Sequence, residues 1–277
     1  MRKVIIMDID GTLIDDTKKI SLKTKEVLLD LQTKGAKLVL ASGRPDRGLF
    51  DFVKELEMDK NNGLIICFNG SKVIDCTSKE VLFNQTIPID IAKSVLRHMK
   101  NFDVRPMIYK DDYIYLNDVY DNMLTVKGKL INIVKFESDI GNYKLCEIDD
   151  LEKFADYPMN KILTAAEPEY LQKYFKMMKE PFENELNCVF TAPMYFEFTA
   201  KNIDKANAIN SVIIPMGYKK EDIIAFGDAE NDKTMIKFAG IGVAMGNATD
   251  DIKAIADYIT LSNTEDGIAY ALNNLLK

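Results

Sequence analysis

Short apolar runs, each stopping abruptly at a polar or glycine-bearing turn, dominate both ends of the chain. Lys3 to Met7 runs into Asp8, Lys37 to Ala41 into Ser42-Gly43, Leu64 to Phe68 into Asn69-Gly70, and Asp222 to Phe226 into Gly227-Asp228. Near-continuous apolar runs of this length are what strands buried on both faces require. Between the first two, Leu22 to Lys34 carries Val27, Leu28 and Leu31 at helical spacing behind the cap candidate Ser21, and Gly35 ends it. Leu49 to Leu56 predicts a second helix, and Asn69-Gly70 turns the third strand toward Lys72 to Ile74 as a hairpin. Strand, helix, strand, helix, strand in that order implies a parallel sheet with right-handed crossovers.

From about Phe83 the texture changes. Pro88 opens a helix over Ile89 to Met99, and short runs at Val104 to Tyr109, Tyr113 to Leu116, Ile131 to Glu137, Lys161 to Ala165, Cys188 to Thr191 and Tyr195 to Phe198 surround a helix near Pro168 to Met178. After Thr199 the simpler rhythm returns: helix Asp204 to Ile214, strand Asp222 to Phe226, helix Asp232 to Phe238, strand Ile241 to Ala244, helix Asp250 to Ala256 and strand Tyr258 to Thr260. The expected architecture is α/β, a doubly wound, Rossmann-like core built from residues 1–82 and 191–277, interrupted by an α+β domain over 83–190.

Composition narrows the function classes. A chain of 277 residues makes one large or two moderate domains, and a net charge of −7 with a pI near 5.0 argues against a nucleic-acid surface. Cys67, Cys76, Cys146 and Cys188 form no C-x-x-C pair and read as buried thiols of a reducing compartment. The first apolar run is broken by Asp8, too short for a secretory signal, and no run approaches the ~20 apolar residues of a membrane span. The expectation is a cytoplasmic protein with no membrane partner; nothing in the pattern specifies an oligomeric state.

Chemistry concentrates where the runs stop. Asp8 and Asp10 sit i, i+2 at a strand end, which puts both carboxylates on one side. Gly11 permits a sharp turn, and Thr12 adds a hydroxyl. Two unit charges ~4 Å apart repel by about 4 kcal/mol at an effective dielectric of ~20, so a positive group is needed beside them. A plain Asp-Gly turn is the alternative. A second cluster, Asp228-Ala229-Glu230-Asn231-Asp232, follows another apolar run; by itself it also reads as a capped helix start. Two acidic clusters at strand ends suggest one shared metal site, at the carboxyl edge where open α/β sheets bind ligands.

Asp8-Ile9-Asp10-Gly11-Thr12-Leu13, Ser42-Gly43-Arg44, Lys205 and Gly227-Asp228-Ala229-Glu230-Asn231-Asp232 resemble, in the same order, the four motifs of the haloacid dehalogenase superfamily. Phe68-Asn69-Gly70, Met245-Gly246-Asn247-Ala248 and Asn263-Thr264-Glu265-Asp266-Gly267 are similar, more narrowly, to its Cof-like subclass IIB phosphatases. The family usually has Gly after the lysine, where Ala206 stands here, and Lys201 is a neighbouring cation.

The resemblance implies a Mg²⁺-dependent phosphatase for small phosphorylated metabolites, sugar phosphates among them. Asp8 would be the nucleophile, forming an aspartyl-phosphate that water hydrolyses, with Asp10 moving the protons and turning its carbonyl to the metal. Asp8 and Asp228 would be the metal carboxylates, with Asp232 a ligand or a support to them, a hard oxygen set that suits Mg²⁺. Lys205 would pair with the nucleophile and the phosphate. Gly11, Thr12, Ser42 and Gly43 would line the phosphate site. Arg44 would reach substrate or brace the insert, Asn69 and Asn247 would hold substrate or phosphate, and Asn231 would do so or orient its acidic neighbours. The insert would be a cap that sets specificity. A phosphomutase shares this core, and a phosphoacceptor without turnover uses similar residues; a dehalogenase is disfavoured by Asp10 and Asp228.

Other conspicuous residues read as structural. His98 falls in a helix of the insert, giving no support to a Ser-His-Asp hydrolase. Tyr109, Tyr113, Tyr115 and Tyr120 suit cross-strand packing, and Met177 and Met178 suit core filling.

Overall fold

The computed structural model describes residues 2–126 and 128–276. The chain opens with β1 (Val4–Met7), α1 (Leu22–Thr33), β2 (Lys37–Ala41), α2 (Phe50–Glu55), β3 (Leu64–Cys67), β4 (Lys72–Asp75) and β5 (Val81–Asn84). Then follow α3 (Ile89–Met99), β6 (Arg105–Lys110), β7 (Tyr113–Leu116), β8 (Met123–Val126), β9 (Lys129–Asn132), α4 (Ile133–Gly141), β10 (Lys144–Glu147), α5 (Leu151–Phe154), β11 (Lys161–Ala165), α6 (Pro168–Lys179), β12 (Leu186–Ala192) and β13 (Tyr195–Ala200). The last stretch adds α7 (Lys205–Val212), β14 (Ile223–Gly227), α8 (Lys233–Phe238), β15 (Ile241–Ala244), α9 (Asp250–Lys253), β16 (Tyr258–Ile259) and α10 (Gly267–Leu275). These elements divide into two units, Met1–Asn84 with Asp204–Lys277, and Gln85–Ile203.

Among the described residues the first unit holds an eight-stranded sheet in the order β16-β15-β14-β1-β2-β3-β4-β5, parallel from β16 to β3. The β3–β4–β5 edge is antiparallel. Every residue of β1, β3 and β14 is buried, which is why these strands read as unbroken apolar runs. From β1 the chain steps outward through β2 and β3; from β14 it steps the other way through β15 and β16. With right-handed crossovers this reversal puts the connecting helices on opposite faces and makes the β1/β14 seam the switch point of the sheet. Helix α1 starts at Ser21, whose Oγ accepts the Thr24 N–H at 3.1 Å.

The second unit is built on a six-stranded sheet, β10-β7-β6-β11-β13-β12, with a separate β8–β9 hairpin. Alternation along the strands serves two cores: Ile162, Phe196 and Phe198 pack with Val95, Leu151 and Leu171, while Leu163 and Tyr195 pack with Leu124, Ile133 and Val134.

The structure departs from the sequence reading at identifiable places. Residues 191–203 belong to the second unit, because β13 pairs with both β11 and β12. Ile131 to Glu137, expected as a strand, is mostly helix: Asn132 accepts the Lys135 N–H at 2.9 Å and caps α4. The buried Ile133, Val134, Glu137, Ser138 and Gly141 of that helix share one face. The expected helix from Leu49 is preceded by a 3₁₀ turn over Asp46–Leu49, and α10 at the end of the chain was not anticipated. Met178 is buried but Met177 is 56% exposed, since consecutive helical positions point ~100° apart. Cys67 and Cys76 are buried free thiols, whereas Cys146 and Cys188 are only half-buried. Tyr120 is 83% exposed and outside any packing cluster, while the Tyr109 hydroxyl donates to Glu137 at 2.8 Å. The His98 ring packs edge-on against Phe102 and Phe182, a structural placement. Among the described residues no helix is long and apolar enough to cross a membrane.

Candidate active site

Strand register assembles the site. Met7 pairs with both Phe226 and Leu40, so the residues that follow, Asp8, Gly227-Asp228 and Ala41-Ser42, emerge side by side at the carboxyl edge. Ala41 pairs with Ile66, and Gly227 with Ala244, which brings Asn69 and Asn247 to the same edge in loops one step later. The Asp8 N–H donates to the Phe226 carbonyl at 3.0 Å, continuing the β1–β14 ladder one residue beyond the strand.

At this edge lies a buried charge cluster. Lys205 Nζ donates to Asp8 Oδ1 and Asp232 Oδ1, each at 2.6 Å, and its side chain is wholly buried. Helix α7 begins at this lysine, with Asp204 capping through the Asn207 N–H at 2.9 Å. Gly70, at φ +108, permits the close approach: a Cβ there would stand 2.2 Å from the Asp204 carbonyl oxygen. Asp232 engages both carboxylate oxygens, Oδ1 with Lys205 and Oδ2 with the N–H groups of Asp228 and Ala229 at 2.9 and 3.1 Å. Oxygens of Asp8, Asp228 and Asp232 lie within 4.8 Å of one another. Lys201, the neighbouring cation in sequence, instead donates to the Glu183 carbonyl within the second unit.

Three carboxylates around one ammonium leave excess negative charge in a dehydrated place. Burial, with Asp232 adding to it and Lys205 opposing, pushes the Asp8 carboxyl up to about 8. Burial, partly offset by the Thr12 hydroxyl and reinforced by Asp232, pushes Asp228 up to about 6. For Lys205, burial pulls the pKa down, but Asp232 and Asp8 outweigh it and the ammonium is held above its ordinary value. The carboxylate oxygens of Asp8, Asp228 and Asp232 make an all-oxygen donor set of the kind that fits a hard divalent cation.

The Asp8-to-Ile14 turn is fastened at several points. Gly11, at φ +82, lies so close to Asp228 that a Cβ would stand 2.4 Å from Oδ2, and the Thr12 hydroxyl donates to Asp228 Oδ1 at 2.9 Å. Asn247 Nδ2 donates to the Gly11 carbonyl at 2.8 Å, while Asn263 donates its side chain to the Ile14 carbonyl and its N–H to Asn247 Oδ1. The buried Ser42 Oγ accepts the Arg44 N–H at 3.1 Å. Asn69, in left-handed backbone at φ 56, lies against Gly43 and accepts from Asn231 Nδ2 at 3.1 Å. The sequence reading gave no role to Asn263 or to Lys18.

Asp10 stands apart. The strand ends at Met7, so period-two alternation does not by itself set the direction of the Asp10 side chain. The Asp10 carboxylate is not one of the three in the Asp8–Asp228–Asp232 cluster, in keeping with an expected metal contact through its backbone carbonyl alone. It receives Arg44 Nε and Nη2 in a fork, both at 2.7 Å, and Lys18 Nζ at 2.9 Å. Burial alone would raise its pKa, but Arg44 and then Lys18 outweigh that and hold it below the usual carboxylate range.

A family model for haloacid dehalogenase-like hydrolases matches residues 5–272. The chain belongs to that family. Among haloacid dehalogenase-like hydrolases, it is 30% identical to the 5-amino-6-(5-phospho-D-ribitylamino)uracil phosphatase YcsE of Bacillus subtilis (strain 168), over 98% of this chain and 95% of that protein. A solved haloacid dehalogenase-like hydrolase from Bacteroides thetaiotaomicron covers 99% of both chains at 32% identity with a TM-score of 0.91. A subclass IIB sugar phosphatase covers 99% of this chain and 98% of its own at 26% identity and a TM-score of 0.79. The chain is thus a phosphatase of the haloacid dehalogenase family, on the α/β fold and within the subclass that its motifs resemble.

Proposed function

We propose that this phosphatase hydrolyses phosphomonoesters of small metabolites, sugar phosphates among them, with Mg²⁺ and through an aspartyl-phosphate on Asp8. The observation that carries the reading is Lys205, buried between Asp8 and Asp232 with Asp228 beside them. Asp8 and Asp228 would hold Mg²⁺, which supplies positive charge against the transferring phosphoryl oxygens.

In the first step an Asp8 carboxylate oxygen forms a bond to phosphorus as the ester P–O bond breaks, and Asp10, which Arg44 and Lys18 keep ionised in the free protein and which takes up a proton in the substrate complex, gives that proton to the departing oxygen. In the second, water forms the new bond to phosphorus, the bond to Asp8 breaks, and Asp10 takes the water's proton. Lys205 orients Asp8 and offsets charge on the phosphate, while Asp232 holds Lys205 and the Asp228 backbone. Ser42 and the Gly43 N–H are assigned to the phosphate, with Gly11, Thr12, Asn69, Asn231 and Asn247 shaping the loops around it. The Gln85–Ile203 unit, inserted between Ser42 and Lys205, is assigned to substrate selection. Names of relatives support this substrate class: one acts on a phosphoribityl compound and another is a sugar phosphatase.

The test is phosphate release from a panel of phosphomonoesters with and without Mg²⁺, comparing wild type with a folded Asp8→Ala variant. Mg²⁺-dependent turnover absent from the variant supports the reading. Turnover unchanged by Asp8→Ala, or no turnover on any ester, overturns it.

A further inference from the structure

The Asp10–Arg44 pair joins two loops that the sequence separates by 34 residues, and its geometry is unusually well defined for a contact at the sheet edge. Arg44 presents Nε and Nη2 to the two oxygens of Asp10 at 2.7 Å each, the planar fork-to-carboxylate arrangement that only arginine can make. The arginine is itself fixed. Its side chain is 13% exposed, Nη1 donates to the Gly48 carbonyl at 3.4 Å, and Cζ lies 5.7 Å from the Phe52 ring centre. Its backbone is anchored too, the N–H to Ser42 Oγ and the carbonyl accepting the Phe68 N–H at 3.0 Å. Lys18, whose side chain is 65% exposed, adds charge but little orientation. Asp10 lies beyond the last strand residue, so the sheet does not hold its side chain.

We infer that Arg44 is a positioning residue for Asp10: it sets the carboxylate orientation from which Asp10 transfers protons, and it does not bind the phosphate. The inference rests on the proposed hydrolysis. A positioning role and a phosphate-binding role separate in a way kinetics can read. Proton delivery matters most when the departing oxygen is a poor leaving group, so loss of orientation should penalise an alkyl phosphate far more than an aryl one. Loss of a phosphate contact penalises both alike.

The experiment measures kcat/KM for wild type, Arg44→Ala, Arg44→Lys, Asp10→Asn and the double variant Arg44→Ala/Asp10→Asn on 4-nitrophenyl phosphate and on an alkyl phosphate that the wild type turns over. General acid–base assistance is worth roughly 10²–10⁴-fold, so Arg44→Ala should slow the alkyl ester by about tenfold to a hundredfold and the nitrophenyl ester much less. Arg44→Lys should fall between, because it keeps the charge and loses the fork. The double variant should be no slower than Asp10→Asn. Equal losses on both esters carried by KM, or a double variant slower than Asp10→Asn by the full Arg44→Ala factor, overturn the inference while leaving the hydrolysis intact. Wild type inactive on every phosphate would instead overturn the reading beneath it. If Arg44→Ala does not fold, Arg44→Lys supplies the same comparison.

Discussion

Lys205 Nζ lies 2.6 Å from Asp8 Oδ1, in a contact that spans 197 residues of sequence and is shielded from water. The ammonium also holds Asp232, so removing it takes away the cation that two buried carboxylates share. Breaking a buried ion pair from one side typically costs about 3–5 kcal/mol. Lys205→Ala should therefore lower the urea midpoint and also reduce phosphate release by roughly 10²–10³-fold, the scale of a lost charge contact in a water-excluded site. Lys201→Ala, whose side chain serves the second unit, should retain near-full rate; the reverse pattern would refute the assignment of Lys205.

Proton occupancy of the cluster gives a pH signature. The folded pKa values of Asp8, about 8, and Asp228, about 6, both exceed the ordinary carboxylate value of 3.8. Between those limits the folded metal-free protein binds more protons than the unfolded chain, so its stability falls as pH rises from about 4 to about 8. A cation at Asp8 and Asp228 displaces those protons, and its apparent affinity should rise over the same range. Denaturant midpoints of chelator-treated protein at pH 5.5 and 8, with and without Mg²⁺, check both statements. A metal-free midpoint that climbs with pH would refute the placement of excess negative charge in this cluster.

The sheet is legible in the sequence because it depends on a local pattern, whereas Lys205, Asn69 and Asn247 are site candidates only through the resemblance to the family. Buried parallel strands must be apolar throughout, so Val4–Met7 and Ile223–Gly227 stood out, and the acids at their ends marked the edge where ligands bind. What the sequence hid depends on direction in space. Asp10 was read as an extension of the strand, but the chain turns after Met7 and delivers its carboxylate to Arg44 and Lys18. Ile131 to Glu137 reads as one more short run of the insert, although the Asn132 cap starts a helix at Ile133. Asn263 opens a stretch that resembles the family, but its bracing of Ile14 and Asn247 exists only once both ends of the chain have met.

Gly11 lies hard against Asp228, one of the two carboxylates proposed to hold the metal. Alanine would place Cβ 2.4 Å from Asp228 Oδ2 at a φ of +82, where left-handed backbone costs a non-glycine residue roughly 1–2 kcal/mol. The strain is affordable to the fold but the displaced carboxylate is not neutral to function. Gly11→Ala should leave the far-ultraviolet circular dichroism unchanged, weaken Mg²⁺ dependence and cut turnover at least about tenfold, on the scale of a misplaced reacting group. Retention of wild-type Mg²⁺ affinity would show that Asp228 does not depend on this contact.

The second unit carries a charge cluster of its own, distinct in purpose. Lys161, 4% exposed, lies 3.0 Å from Glu197 and 4.0 Å from Glu137, with the Tyr109 ring centre 5.1 Å from its ammonium and the Tyr109 hydroxyl on Glu137. Burial pulls the lysine pKa down, but Glu197 and Glu137 outweigh it and raise it, so the ammonium is fully charged at neutral pH. Lys161→Met keeps the length and removes the charge, leaving two buried carboxylates with too few donors, and should destabilise this unit by about 3–5 kcal/mol. Adding Glu197→Gln should recover part of that loss, because one of the stranded charges goes with it. With two units present, unfolding need not be a single transition, so the readout should be hydrogen exchange of β11 and β13 amides alongside a urea titration. Faster exchange confined to the second unit is expected; equal acceleration in β1 and β14 would mean the two units unfold as one.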